Sequence, residues 1–242
     1  MAFLQEVDMK NLVKTECKNT GIELSDYQAE QFESYYNLLL DWNEKINLTR
    51  ITEKSEVALK HFADSLTLLN YYDIPQGAKL IDVGTGAGFP GIPLKIARPD
   101  IELTLLDSLN KRLIFLDEVC ARLDIDANLV HSRAEDGGRN PKLRENFDLV
   151  VSRAVAGLNV LSEYCLPFVK VGGAFTPMKG PDAESEISEA ESAIKLLGGK
   201  LSAVNSFTLG SAGGRTIVVI DKVRSTPQKY PRHGSKIKSK PL

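Results

Sequence analysis

The sequence has few cysteines and no long apolar run. Its three cysteines, Cys17, Cys120 and Cys165, cannot all pair and stand too far apart in the chain to suggest a zinc clip, so we expect neither a disulfide framework nor a metal. No stretch approaches the roughly 18 apolar residues that a membrane-spanning helix needs. The first residues, Met1–Asp8, lack the basic and apolar regions of a signal peptide. These absences predict a cytoplasmic protein without a membrane segment.

The composition is that of a globular protein with an uneven charge distribution. Hydrophobic residues make up 43% of the 242 residues and charged residues 26%. From Lys222 to Leu242 there are seven Lys and Arg residues and no Asp or Glu, so the formal net charge of −2 conceals −9 on the rest of the chain. A basic cluster of this kind is typical of a segment that contacts a phosphate-rich partner, and simple solvation is the alternative.

The N-terminal third of the chain has the apolar spacing of helices, and residues 1–72 are expected to form a small helical subdomain. Gly21 is a suitable residue to end the first helix, and Ser25 with Gln28 forms a capping-box pattern for the second. The three predicted helices cover approximately Phe3–Asn19, Ser25–Ile46 and Thr52–Tyr71.

Residues 73–222 alternate short apolar strands with helices, which predicts an α/β domain with helices on both faces of a seven-stranded, mostly parallel sheet. No helix separates the last two strands, so this terminal pair should be antiparallel. Residues 223–242 then form a basic C-terminal tail. The predicted strands lie near Leu80–Val83, Ile101–Leu106, Asn128–His131, Phe147–Ser152, Gly173–Met178, Leu201–Phe207 and Thr216–Asp221.

The first strand of this domain ends in a glycine cluster, Gly84-Thr85-Gly86-Ala87-Gly88. Glycines allow a sharp turn there and bring backbone N–H groups close to a ligand at a helix N-terminus. Asp107 ends the second strand, where a carboxylate can accept hydrogen bonds from both hydroxyls of a ribose. We therefore predict a nucleotide-type ligand across the carboxyl ends of the strands, bound by Gly84, Gly86, Gly88 and Asp107.

Two ligand classes fit this loop. A dinucleotide fingerprint can be placed on Gly86–Gly91, but it begins two residues late after the strand, and in the natural register Phe89 occupies the place of the last glycine. The register and the terminal antiparallel pair favour S-adenosyl-L-methionine. A dinucleotide-dependent oxidoreductase remains the alternative.

Several segments resemble one family. The pattern Asp82-x-Gly84-x-Gly86-x-Gly88 resembles motif I of class I methyltransferases, and the chain from Trp42 onward resembles the bacterial small-subunit (16S) ribosomal RNA methyltransferase G (glucose-inhibited division protein B) family. The resemblance implies a Rossmann-like class I fold and transfer of a methyl group from S-adenosyl-L-methionine to guanine N7 in small-subunit ribosomal RNA or a ribosomal particle. We expect a monomer. The matching segments are Trp42–Thr49, His61–Leu66, Asp82–Gly91, Arg133–Glu135, Ser152–Ala154, Lys179–Gly180 and Tyr230–Arg232.

The resemblance also implies roles for individual residues. Gly84 and Phe89 would contact the cofactor. Ala134 and Glu135 would lie at its adenine. Arg153 would contact the cofactor and line the reaction centre. The alternatives are a surface ion pair for Arg153 and a solvated loop charge for Glu135.

The residues that other methyl acceptors require are missing. Methylation of a pyrimidine carbon needs a cysteine nucleophile, typically after proline, and the chain has no Pro-Cys pair. Exocyclic amines commonly require an Asn/Asp-Pro-Pro-aromatic loop, whose place is taken by Ser152–Val155. Guanine N7 carries a lone pair and no proton, so direct in-line displacement needs no general base and catalysis would depend on positioning. A small-molecule or protein acceptor remains an alternative.

The RNA is expected to meet the basic tail. For His61 we predict a further substrate contact or a core hydrogen bond. The predicted positive track for the RNA consists of Arg153 and the tail residues, with Arg133 and Arg215 as further candidates near the cleft; the tail residues are Arg232, Lys236, Lys238 and Lys240. The acceptor base must be flipped out or single-stranded to reach the site. We expect loss of the tail charges to weaken RNA binding and to leave cofactor binding intact. A non-catalytic RNA- or protein-binding module on the same fold stays open.

Overall fold

A computed structural model describes residues 8–181 and 183–242, so the predicted helical residues Phe3–Val7 lie outside the described part. Seven strands form one sheet: β1 (Lys79–Val83), β2 (Glu102–Asp107), β3 (Ala127–His131), β4 (Phe147–Arg153), β5 (Val169–Lys179), β6 (Gly199–Thr208) and β7 (Gly214–Lys222). Their order is β3-β2-β1-β4-β5-β7-β6. The first five strands are parallel, and β7 is antiparallel to both β5 and β6. The predicted Rossmann-like α/β fold is confirmed, and the structure adds the insertion of β7 between β5 and β6.

The helices within the described residues cover both faces of the sheet. They are α1 (Met9–Asn19), α2 (Asp26–Ile46), α3 (Lys54–Val57), α4 (Asp64–Leu66), α5 (Gly91–Ala97), α6 (Asn110–Leu123), α7 (Ala134–Gly137), α8 (Leu158–Cys165), α9 (Ala183–Leu196) and α10 (Gly234–Ser239).

The start of α2 follows the predicted capping box. The Ser25 hydroxyl accepts a hydrogen bond from the backbone N–H of Gln28, and the Gln28 side-chain oxygen accepts one from the backbone N–H of Ser25. The helix ends where Asn47 adopts the left-handed conformation with φ 49°.

The third predicted helix is interrupted. Between α3 and α4 the chain forms a π-helical segment, Ala58–Ala63, and a 3-10 turn, Thr67–Asn70, follows α4. The π segment disturbs the regular backbone hydrogen bonds, and the Lys60 carbonyl accepts a hydrogen bond from Arg153 at 3.1 Å. Such segments frequently occur at functional sites, and apolar spacing alone does not distinguish them from an α-helix.

Two apolar clusters lie on opposite faces of the sheet because successive strand residues point to opposite sides, as Leu80 and Ile81 do. The first cluster combines residues of α1 and α2 with those of α5, α6 and the sheet. The second is formed with α8, α9 and α10. The helical N-terminal part therefore shares one core with the sheet, and the boundary near residue 72 stays a prediction.

Residues 223–242, here called the C-terminal segment, are packed against the body of the protein rather than solvated. The Arg144 guanidinium donates hydrogen bonds to the carbonyls of Thr226 and Tyr230 at 2.7 and 2.8 Å. Ile237 of α10 is fully buried in the second cluster. The preceding Lys222 is also buried, and its ammonium donates to the Leu166 carbonyl. Burial lowers the pKa of Lys222 to about 8.

Tyr35 of α2 connects the N-terminal helices to the glycine loop. Its buried hydroxyl donates to the Ala87 carbonyl, and its ring stacks against Phe62 at 5.5 Å. Burial raises the pKa of Tyr35 well above its ordinary value, so the hydroxyl keeps the proton that it donates.

We predict that Tyr35→Phe lowers the free energy of unfolding by about 1–2 kcal/mol, because the buried Ala87 carbonyl loses its donor. The matched control is Tyr27→Phe, since the Tyr27 side chain is 60% exposed and its change should cost less than about 0.5 kcal/mol. Urea unfolding of both variants checks this expectation. Equal stability of the two variants would contradict it.

Candidate active site

A cavity of about 650 Å³ opens at the carboxyl ends of the parallel strands and is called here the glycine-loop cavity. This is the place where ligands bind in open α/β sheets. Residues that the sequence did not single out as ligand contacts also line it, among them Arg112 and Tyr164. The predicted cofactor residues in its wall are Gly84, Gly86, Phe89, Asp107, Ala134, Glu135 and Arg153.

The glycines of the loop have two different functions. Gly84 and Gly86 have φ values of 74° and 62°, and both line the cavity. A Cβ on Gly84 would lie 2.7 Å from Val155 Cγ2, so the close approach of these two loops requires glycine. These positions bring the backbone to the cavity surface, as the sequence predicted.

Gly88 does not line the cavity, so its predicted contact with the cofactor has no support from the cavity and stays a prediction. Its φ is 97°, and a Cβ there would lie 2.5 Å from the Tyr35 hydroxyl and 2.8 Å from Leu116 Cδ2. Gly88 faces the core because the loop turns inward at this point. It therefore permits close packing between the loop and the core.

Asp82, near the end of β1, stabilises the glycine loop through hydrogen bonds to two of its residues. Its Oδ2 accepts hydrogen bonds from Thr85 Oγ1 at 2.8 Å and from the backbone N–H of Gly91 at 2.9 Å. The carboxyl group is fully buried, and burial raises its pKa to about 6 despite these two donors. Asp82 fixes the shape of the loop without lining the cavity.

Asp107 lies in the cavity wall and also braces the loop. Its Oδ2 accepts from the backbone N–H of Gly86 at 2.9 Å, and its Oδ1 accepts from that of Leu109 at the same distance. Arg112 pairs with the carboxylate at 3.2 Å. These contacts hold the Asp107 carboxylate in a defined orientation. Its binding of a ribose stays a prediction.

Glu135 of α7 is buried rather than solvated, so the alternative of a loop charge is wrong. The C-terminal segment causes this burial. Gly234, at the start of α10, packs so closely that a methyl group there would overlap Glu135 Oε1. The neighbouring Ala134 lies in the same cavity wall.

Arg153 is part of a buried charge cluster, which excludes the alternative of a surface ion pair. Asp64 is 4% exposed, and its two oxygens accept hydrogen bonds from Arg153 Nη1 and Arg215 Nε, both at 2.8 Å. The sequence missed this cluster because its members are 89 and 151 residues apart, although Asp64 stood in one of the matching segments. Two guanidinium groups on one carboxylate leave a positive charge at this place.

His61 lies beside this cluster. Its ring stacks on Phe89 with centroids 4.6 Å apart, and Arg153 lies over the same Phe89 ring at 5.1 Å. The imidazole Nε2 contacts Thr49 Oγ1 at 2.9 Å. Burial and the adjacent Arg153 lower the pKa of His61 to about 3, so the ring is neutral near neutral pH.

A second cavity of about 360 Å³ adjoins the first. His61, Arg153 and Ala154 line both, so they form the wall between the two spaces. Ala154 has φ 56°, an uncommon conformation for a residue other than glycine, and such strain is found at functional sites. The second cavity also contains Asp64, Lys179, Glu186 and Arg215.

The four basic residues predicted for the tail separate into three groups. Arg232 is paired with the buried carboxylate of Glu163, so the prediction of a free RNA-binding cation at this position is not supported. Lys236 and Lys240 are exposed. Lys238 lines the glycine-loop cavity, and the expectation that loss of the tail charges leaves cofactor binding intact stays a prediction.

Within residues 8–181 and 183–242, no three His, Cys, Asp or Glu side chains converge to hold a metal ion. No helix in the same ranges is both long enough and apolar enough to cross a membrane.

The chain is similar in sequence to one group of proteins over most of its length. Residues 28–217 match the family model described as rRNA small subunit methyltransferase G. A relative from Lactobacillus johnsonii named ribosomal RNA small subunit methyltransferase G is 53% identical over 92% of this chain and 95% of its own length. A relative of the same name from Alkaliphilus oremlandii is 50% identical over 98% of this chain and 100% of its own length.

Solved structures share the fold at low sequence identity. A methyltransferase from Pyrococcus furiosus has a TM-score of 0.56 and 15% identity, covering 78% of this chain and 95% of that one. Geranyl diphosphate C-methyltransferase from Streptomyces coelicolor has a TM-score of 0.54 and 13% identity, covering 66% of this chain and 79% of that one.

We predict that His61 makes the protein less stable in acid. Between about pH 6.5 and about pH 3 the unfolded chain binds a proton at His61 that the folded protein does not, so the free energy of unfolding falls as pH falls through this range. When the pH is lowered from about 7.5 to about 5, the free energy of unfolding of wild type should fall by about 1–2 kcal/mol more than that of His61→Asn. Urea unfolding at both pH values measures the difference. The control His131→Asn changes an exposed ring and should show the same pH dependence of stability as wild type. The prediction is contradicted if His61→Asn also shows the wild-type pH dependence.

Proposed function

The chain belongs to the rRNA small subunit methyltransferase G family, and from this membership we propose that it methylates N7 of a guanine in small-subunit ribosomal RNA. The protein is a methyltransferase that uses S-adenosyl-L-methionine. The observation that carries the proposed acceptor is the position of Arg153 between two adjoining cavities. One cavity has the walls of a nucleoside site, and the other is open to an acceptor.

The residues of the glycine-loop cavity fit S-adenosyl-L-methionine. Gly84 and Gly86 present backbone at a surface that a Cβ on Gly84 would obstruct. Asp107 and Glu135 provide carboxylate oxygens of the kind that bind ribose hydroxyls and amino groups. When bound, the cofactor supplies an electrophilic methyl group. The protein binds and orients it against the wall formed by His61 and Arg153.

The side chains around the shared wall, His61 and Asp64, favour an acceptor that needs no strong general base. His61, with its pKa near 3, is a weak proton acceptor at neutral pH. Both oxygens of Asp64 are paired with arginines. A guanine N7 requires no proton removal, so this arrangement supports a ring nitrogen as the methyl acceptor.

A cysteine nucleophile for pyrimidine carbon methylation is also disfavoured. All three thiols are buried. Burial raises the pKa of Cys17 to about 12 and of Cys120 to about 11, and it raises that of Cys165 well above its ordinary value. A thiolate is the nucleophilic form, and these surroundings suppress it.

Arg153 acts as a positioning residue in this proposal. Asp64 and the Lys60 carbonyl fix its guanidinium, and Phe89 lies beneath it. A fixed cation at the wall between the cavities holds the acceptor base in line with the methyl group. Positioning of this kind contributes several kcal/mol to a displacement that needs no proton transfer.

We expect wild type to transfer label from S-adenosyl-L-methionine to one guanine N7 of small-subunit ribosomal RNA, offered as free RNA and as intact small subunits. Arg153→Gln should lower transfer by about 100-fold because the positioning cation is lost. Arg122→Gln, an exposed arginine at the end of α6, is the matched control and should retain wild-type transfer. Mapping of the labelled base identifies the acceptor. Cofactor binding without any labelled RNA would overturn the RNA assignment and direct attention to protein and small-molecule acceptors.

The exposed lysines of α10 and its end form the proposed RNA contact. The double variant Lys236→Ala/Lys240→Ala should raise the KM for RNA, leave the KM for the cofactor unchanged, and reduce the slope of log affinity against log salt by about 1–2, because up to two phosphate contacts are lost. The control Lys195→Ala/Lys200→Ala removes the same charge from α9 and β6 and should behave as wild type. Equal salt slopes in the two double variants would exclude this surface.

A further inference from the structure

The second cavity contains one carboxylate oxygen with unused acceptor capacity. Both oxygens of Asp64 are occupied by Arg153 and Arg215. Glu186 of α9 differs, since its Oε2 accepts from Lys179 Nζ at 2.7 Å and from the backbone N–H of Leu158 at 2.8 Å, while Oε1 has no partner among the described residues. The second cavity is therefore lined by one oriented acceptor that the protein itself does not satisfy.

The orientation of Glu186 is fixed by groups that only donate. The Lys179 side chain is 9% exposed and also donates to the Ala156 carbonyl at 2.8 Å, so its ammonium is held in place. The Leu158 N–H belongs to the first turn of α8. With both donors on Oε2, the other oxygen is left for a ligand of the second cavity.

The position of Glu186 relative to the shared wall suits a purine. His61 and Arg153 line both cavities, whereas Glu186 lines only the second. In guanine, N7 and the Watson–Crick edge lie on opposite sides of the ring system. A guanine whose N7 faces the shared wall therefore turns its N1–H and N2–H groups away from that wall, toward the remaining lining of the second cavity.

We propose that Glu186 Oε1 accepts hydrogen bonds from the Watson–Crick edge of the acceptor guanine and so selects guanine over adenine. The inference rests on the proposed function. Adenine also has an N7, but it presents an acceptor at N1, and a carboxylate has no proton to donate to it. The Glu186 side chain is 36% exposed in the free protein, and a bound base would cover it. A polar group that is covered without a partner disfavours the wrong base more strongly than one added contact favours the right base.

Glu186→Gln is a sharp test because the fixed donors determine how the amide lies. Lys179 and the Leu158 N–H both require an acceptor, so the amide oxygen must face them and the amide NH₂ must face the cavity. The variant keeps the structural contacts of Glu186 and reverses the hydrogen-bonding character of the group offered to the base. Glu189→Gln, an exposed glutamate of the same helix, is the matched control.

The experiment measures kcat/KM on small-subunit RNA that carries guanosine, inosine or adenosine at the mapped target. Inosine lacks only the N2 amino group of guanosine. With wild type and Glu189→Gln we expect about 10-fold lower kcat/KM for inosine. With Glu186→Gln we expect about 10-fold lower kcat/KM for guanosine, no difference between guanosine and inosine, and reduced discrimination against adenosine. Cofactor affinity and the midpoint of thermal unfolding should match wild type.

Failure of the inference is distinguishable from failure of the proposed function. Wild-type methylation of guanine N7 together with an unchanged guanosine-to-inosine ratio in Glu186→Gln overturns the inference alone. A wild type that modifies no guanine N7 of small-subunit RNA overturns the proposed function and this inference with it. A Glu186→Gln variant that loses thermal stability is replaced by Glu186→Asp, which retains the charge and shortens the side chain; a wild-type guanosine-to-inosine ratio in that variant also overturns the inference.

Discussion

The carboxylate of Asp64 is the contact on which the wall between the two cavities depends. It joins three parts of the chain that are distant in sequence, since Asp64 belongs to the N-terminal helical region, Arg153 ends β4 and Arg215 lies at the start of β7. Removing one partner of such a buried cluster leaves a charge without compensation, which costs several kcal/mol. The cluster thereby orients Arg153 and keeps a net positive charge where a polyanionic acceptor would approach.

The conformation of the glycine loop depends on contacts with residues outside the cavity as well as on its own backbone. Asp82 ties the two ends of the loop together, and Tyr35 donates to the Ala87 carbonyl from the helical side. Gly88 is part of this support, because only a residue without a Cβ fits against Tyr35. The loop can therefore offer preorganised backbone to a ligand, and ligand binding does not have to bear the full cost of ordering it.

The positive charges of the C-terminal segment are only partly available to a ligand, because some of its basic residues are paired within the protein. Its basic residues are not equivalent, since Arg232 is paired with Glu163, while Lys236 and Lys240 face solvent. The same segment covers Glu135 through Gly234. It is thus a structural wall beside the glycine-loop cavity, and it also carries exposed cations.

The sequence by itself determined the features that depend on interactions between residues close together in the chain. The capping box at Ser25, the alternation of strands and helices and the glycine turn after β1 depend on neighbouring residues, and the structure contains all of them. Only the tertiary structure decided that Gly88 faces the core and that Arg232 is paired internally, because each outcome depends on a partner far away in the chain. The free oxygen of Glu186 belongs to the same class, since packing between α8, β5 and α9 determines which of its two oxygens is used. Local sequence patterns specify turns and the periodicity of helices and strands. Whether a charged side chain is free to contact a ligand depends on residues that are distant in sequence and close in the fold.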